Sequence, residues 1–204
     1  IRDFCLSRGL GDVYKRQFNY SDADVLQATA ELFNNVCDII PDDVTVLFEN
    51  LWWPGLRLID FNLVERFFAS LNKTNVGIML DTGHLMNTNR QLTSEAEGIG
   101  YVCRTVQALG SLKRLIKGVH LSCSLSGSYQ QSFEKIVPLQ VDYEVLLTHI
   151  GKIYRHQPFT VPEAEAILEA VQPQYLVHEL FYDNLTDLGG KLRQQQKACG
   201  LRSR

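Results

Sequence analysis

The chain has no apolar run near the roughly 18 residues that a membrane-spanning helix requires, so no integral helical membrane protein is expected. Its five cysteines (Cys5, Cys37, Cys103, Cys123, Cys199) are scattered, with no CxxC pair. That spacing argues against a disulfide framework or a zinc knuckle and fits a reducing compartment. No charge of one sign dominates: the net −3 gives no overall pull toward nucleic acid or anionic membrane. There is no internal repeat, no visible phosphate loop, and no linker that would divide residues 18–204 into two domains.

What remains is ordinary for a globular protein. Hydrophobic residues make up 45% and charged residues 21% of 204 residues, enough chain to bury a core as one domain. Residues 1–17 stand apart. They show neither a strand nor a helix period, lack the apolar core of a secretory leader, and do not lead into the helical pattern that starts near Ser21. The stretch LSRGLGDVYKRQ resembles a translated sequencing-adapter read, and we read 1–17 as non-native. A cytoplasmic location is expected.

Four short apolar runs each end on a metal-binding type of side chain: Val44 to Glu49, Val76 to Asp81, Ile116 to His120, and Tyr175 to Glu179. Continuous apolar runs of this length read as buried parallel strands. The terminal Glu49, Asp81, His120 and Glu179 then fall at the carboxyl ends of strands, where α/β barrels build their chemistry. Any one of them alone is as readily a helix cap or an ion-pair partner. Together they offer three carboxylates and one imidazole, a donor set for an octahedral divalent ion with room for substrate oxygens. The set is poorer in nitrogen than a typical catalytic zinc site. Manganese, cobalt or magnesium is therefore expected ahead of zinc.

Helical patterns separate these runs. Ser21 to Asp24 reads as a helix start, with Val25, Ala28, Leu32, Val36 and Ile39 on the apolar face. Asp60 to Leu71, Ser94 to Leu109, Val141 to Ile153 and Pro162 to Val171 read as further helices, and a polar helix starts at Asp187. Between them, Ser122 to Ser128 reads as a polar, flexible loop. The alternation is that of parallel βα units.

Phe48-Glu49-Asn50, Leu80-Asp81-Thr82-Gly83-His84, Val119-His120-Leu121 and His178-Glu179 together resemble the xylose isomerase-like TIM-barrel superfamily. That group includes sugar isomerases and epimerases and the endonuclease IV type of enzyme. The resemblance covers roughly Ser21 to Lys197, and its most specific step is DxGH. It implies that Glu49, Asp81, His120 and Glu179 hold a divalent metal. It also implies that Glu49 and Glu179 move protons, and that His84 and His156 line the substrate site. In the endonuclease branch an Asp-x-His step comes after the third strand; here Tyr154 stands in the place of that aspartate, which speaks against a third zinc. A TIM barrel usually takes about 250 residues, and the first strand recognised here aligns with the family's fourth. The expected fold is thus an α/β, partial (β/α)8 TIM barrel lacking roughly the first three βα units, with open edges and exposed apolar surface.

The resemblance implies a metal-dependent isomerase or epimerase of a sugar or sugar phosphate acting through an enediolate, with Glu49 and Glu179 as acid and base. Trp52 and Trp53, in the loop after Glu49, would wall the sugar face or simply cover the barrel mouth. The rival readings are a zinc phosphodiesterase acting on abasic DNA and an inactive barrel fragment. The expected partner is a small-molecule sugar, without nucleic acid or membrane; a homo-oligomer is left open. His149 and His178 read as structural, and Cys123 as a bystander near the third strand end.

Overall fold

The structure is a computed structural model, and it describes residues 20–132 and 143–201. The segment 1–17 and Val141, the expected start of one helix, lie outside these residues.

The four apolar runs form one parallel sheet: β1 (Val46–Glu49), β2 (Val76–Asp81), β3 (Ile116–Leu121) and β4 (Tyr175–His178), in the order β1-β2-β3-β4. The register aligns Glu49 with Met79, Asp81 with His120, and Leu121 with His178. All four strand ends therefore reach the same rim. β1 starts two residues later than its apolar run suggests. Before it, the Thr45 side chain is held by Asn75 Oδ1 at 2.8 Å. Ile78, Leu80, Val119 and Leu121 of the central strands are fully buried, as the runs of apolar residues require.

Helices join the strands, and the first four carry their own caps. In α1 (Asp22–Val36) Ser21 and Asp24 form a capping box. Asp60 caps α2 (Phe61–Ala69), Asp81 caps α3 (Thr82–Asn87), and Ser94 caps α4 (Glu95–Ala108). After these come α5 (Gly127–Ser132), α6 (Tyr143–Ile153), α7 (Glu165–Val171, entered through a 3-10 turn Pro162–Ala164) and α8 (Leu185–Ala198).

Two expectations fail here. α1 does not bury Val25, Ala28, Leu32, Val36 and Ile39. It buries Leu26, Ala30 and Phe33, and leaves Leu32, Val36 and Ile39 exposed. The cause is Phe48 of β1, whose ring takes Phe33, Phe67 and Phe68 edge-on at 5.2, 5.0 and 6.0 Å. Satisfying that aromatic cluster turns α1 onto its neighbouring apolar stripe. The serine-rich stretch is not a solvated loop either. Ser122, Ser124 and Ser126 are buried, bonded to Thr82, to Asn87 and the Ile153 carbonyl, and to Asn87 respectively.

β1 and β4 are the edges of the sheet among the described residues. Val36, Ile39 and Val44 are exposed near one edge, and Tyr175, Val177 and Phe181 near the other. Four strands are half of the eight that close a (β/α)8 barrel.

Candidate metal centre

Glu49, Asp81, His120 and Glu179 each offer a ligand atom, and these atoms all lie within 4.8 Å of one another. Oxygen ligands of one divalent ion, each ~2.0–2.6 Å from it, lie no more than about 4–5 Å apart. The separation fits a single ion. Glu49 from β1 and His120 from β3 meet across the intervening β2, with Glu49 Oε1 2.9 Å from His120 Nδ1. Glu179 Oε2 approaches the same nitrogen at 3.3 Å.

The polar atoms are unevenly satisfied. Asp81 Oδ1 accepts the His84 N–H at 2.7 Å, which is the α3 cap. Asp81 Oδ2 and Glu179 Oε2 are buried and accept no hydrogen bond of acceptable geometry. Buried carboxylate oxygens are costly to leave unmade, and a cation would satisfy both. The donor chemistry and these two orphan oxygens together fit a hard divalent metal.

Electrostatics agree. Burial, with Glu179 and Glu49 adding like charge, pushes the Asp81 carboxyl up to about 9. His120 is pushed up to about 10, first by Glu179 and then by Glu49. Glu179 is held down at about 2, chiefly by His120. Protons thus offset a surplus of negative charge that a metal would neutralise instead.

Asn50 closes the Phe48-Glu49-Asn50 step of the sequence, which assigns it no role. It is fully buried and forms a double amide bridge to Asp81. The Asp81 N–H donates to Asn50 Oδ1 at 2.8 Å, and Asn50 Nδ2 donates to the Asp81 carbonyl at 3.0 Å. Its own carbonyl accepts from His84 Nδ1 at 2.9 Å. Asn50 therefore fixes β1 to β2 at the level of the Glu49–Asp81 cluster. Replacing it with alanine strands two backbone groups of Asp81. Metal affinity is expected to fall ~10- to 100-fold, as for lost outer-shell partners, and stability by ~1–3 kcal/mol. Calorimetric metal titration and chemical denaturation of Asn50→Ala measure both; wild-type affinity would show that the bridge does not position the ligand.

His84 and His156 flank the cluster. His84 Nδ1 lies 3.5 Å from Asp81 Oδ2 and 4.0 Å from Glu49 Oε1, and His156 Nδ1 lies 4.0 Å from Glu179 Oε2. Burial lowers the affinity of both imidazoles for a proton. Trp53 packs near the His84 ring (6.4 Å), and Trp52 contacts Trp53 at 5.7 Å. Two further rings complete this wall. Tyr154 lies 4.9 Å from His84 and stacks on His156 at 5.9 Å, and Phe181 lies 4.5 Å from His156. In the sequence Tyr154 stands out only as the residue in place of an aspartate two positions before His156; Phe181 has no signal.

The remaining candidates lie elsewhere. His178 Nδ1 meets Gln195 of α8 at 2.8 Å, and His149 meets Tyr129. Cys123 is outside the metal-type cluster, and burial pushes its thiol up to about 12.

The fold and site define an α/β protein whose parallel strands carry a metal-type donor set at their carboxyl ends. A family model described as xylose isomerase-like TIM barrel matches residues 10–198, and the chain belongs to that family. Its four-stranded sheet is a partial (β/α)8 barrel. The family includes sugar isomerases and epimerases and endonuclease IV-like enzymes. Comparison with curated proteins and with solved structures gave no match. No helix among the described residues is long and apolar enough to cross a membrane.

Proposed function

We propose that the chain is a divalent-metal-dependent isomerase or epimerase of a sugar or sugar phosphate, working through an enediolate. The observation that carries this reading is a difference in access within the cluster. The Asp81 side chain is fully buried, whereas those of Glu49 and Glu179 keep 35% and 38% of their surface. Asp81 is a floor ligand; the two glutamates stand where a substrate arrives. A bound cation supplies Lewis-acid polarisation of the substrate carbonyl and its neighbouring hydroxyl. In this reading Glu49 and Glu179 would flank the bound substrate, one taking the proton α to the carbonyl and the other returning it. Trp53, Tyr154 and His84 offer an apolar wall against a sugar face and exclude water from the reacting carbon.

The test is exchange of substrate α-protons with solvent deuterium, monitored by NMR over a panel of sugars and their phosphates with manganese, cobalt or magnesium present. Exchange that chelation abolishes is expected. Its absence with every substrate, while metal is bound, would contradict the reading.

One observation favours a second reading, a phosphodiesterase of the endonuclease IV type. His84 gives its Nδ1 proton to a backbone carbonyl, the arrangement that frees the other nitrogen of an imidazole for a metal. A content of two or more zinc ions per chain would favour it over the isomerase.

A further inference from the structure

We propose that the cavity behind Phe181 is an anion subsite that takes the phosphate of a phosphorylated sugar, so that the substrate class is sugar phosphates. The inference rests on the isomerase reading for the word sugar, and on the geometry around Phe181 for the phosphate.

The loop from Tyr154 to Gln157 divides its side chains. Tyr154 and His156 pack together beside the metal-type cluster. Arg155 and Gln157 instead line a cavity of about 420 Å³ on the other side, with Lys152, Ser128 and Tyr129. His156 holds φ at 39°, a left-handed conformation uncommon outside glycine. At the same residue, its carbonyl accepts the Phe181 N–H at 3.1 Å. Phe181 lines the cavity and also packs its ring on His156. One ring therefore separates the cavity from the residues that flank the metal ligands. The cavity and the cluster thus meet at one wall, Phe181 packed on His156, which in turn flanks Glu179.

Among the described residues the cavity is lined by two cationic side chains, Lys152 and Arg155, and by no carboxylate. Among the described residues, neither Lys152 nor Arg155 forms an ion pair. Lys152 Nζ lies 5.5 Å from the Tyr129 ring, and the Arg155 guanidinium donates to the Leu125 carbonyl at 3.4 Å. A guanidinium and an ammonium converging with a serine hydroxyl and an amide suit the several oxygens of a phosphate. The volume is that of a small-molecule site, ~300–1,000 Å³. The adjoining cavity shares Arg155 and Gln157, but Glu95 lines it, its carboxylate fixed by the Thr160 N–H and hydroxyl at 2.7 Å each. That negative charge makes the adjoining cavity the poorer anion site.

The experiment titrates inorganic phosphate into the full chain in chelator, so that no metal can recruit it, and repeats this with the double variant Lys152→Met, Arg155→Met. Saturable binding is expected in the wild type, weakened about tenfold or more in the double variant. Gln194→Ala, in the adjoining cavity, keeps wild-type phosphate binding. With metal restored, the double variant raises KM for a sugar phosphate about tenfold relative to the same sugar without phosphate. No saturable binding in the wild type, or equal binding in the double variant, overturns the subsite. Phosphate binding that is lost in the double variant, with no α-proton exchange on any sugar, upholds the subsite and defeats the isomerase reading instead.

Discussion

Glu179→Gln lowers the rate of substrate α-proton exchange by about a hundred- to ten-thousand-fold, the range that a positioned general acid or base contributes. Glutamine keeps the size and one neutral oxygen of the side chain but can neither take nor return a proton. Glu179 is placed for the role by geometry, its Oε2 lying 3.3 Å from His120 Nδ1 within the cluster. It also keeps 38% of its side-chain surface. The same substitution removes one charge from the cluster, so metal binding weakens as well. Rates are therefore compared at saturating metal, with the bound ion measured in each sample. Undiminished exchange in the metal-loaded variant would remove Glu179 from the proton path.

Metal binding near pH 7 is expected to release about two protons per ion, because ligands must be deprotonated to coordinate. In the metal-free chain the Asp81 carboxyl titrates at about 9 and His120 at about 10, so both hold their protons at pH 7. Glu179 at about 2 has none to lose. The sign is therefore positive: affinity rises with pH through the neutral range, and the gain ends as pH passes about 9 to 10, where the metal-free site has lost those protons itself. Calorimetry in buffers of different ionisation enthalpy counts the protons directly. A count near zero, with affinity flat from about pH 6 to 9, would mean that these two residues are not ligands.

Much of this arrangement was legible in the sequence because a parallel sheet leaves a local mark. A strand covered on both faces must be apolar throughout, so a run such as Val76 to Leu80 shows where it stops, and Asp81 is conspicuous at that stop. Caps are equally local: Ser21, Asp60 and Ser94 lie next to the patterns they start. Other features depend on tertiary partners. α1 carries two apolar stripes, and only Phe48 from β1 decides that Phe33 turns inward and Leu32 outward. Ser124 reads as a loop residue until Asn87 and the Ile153 carbonyl are placed around it. Asn50 belongs to a recognised step, but its bridge to Asp81 exists only once β1 pairs with β2. Phe181 joins the aromatic wall only because β4 delivers its loop against His156.

The central claim is that Glu49, Asp81, His120 and Glu179 hold one catalytic divalent ion. Calorimetric titration of manganese into the wild type and Asp81→Asn tests it most directly. The account predicts one ion per wild-type chain, and for the variant a loss at least as large as the ~10- to 100-fold that removing an outer partner causes. Two or more ions per chain, or a variant that binds manganese as tightly as the wild type, would contradict it.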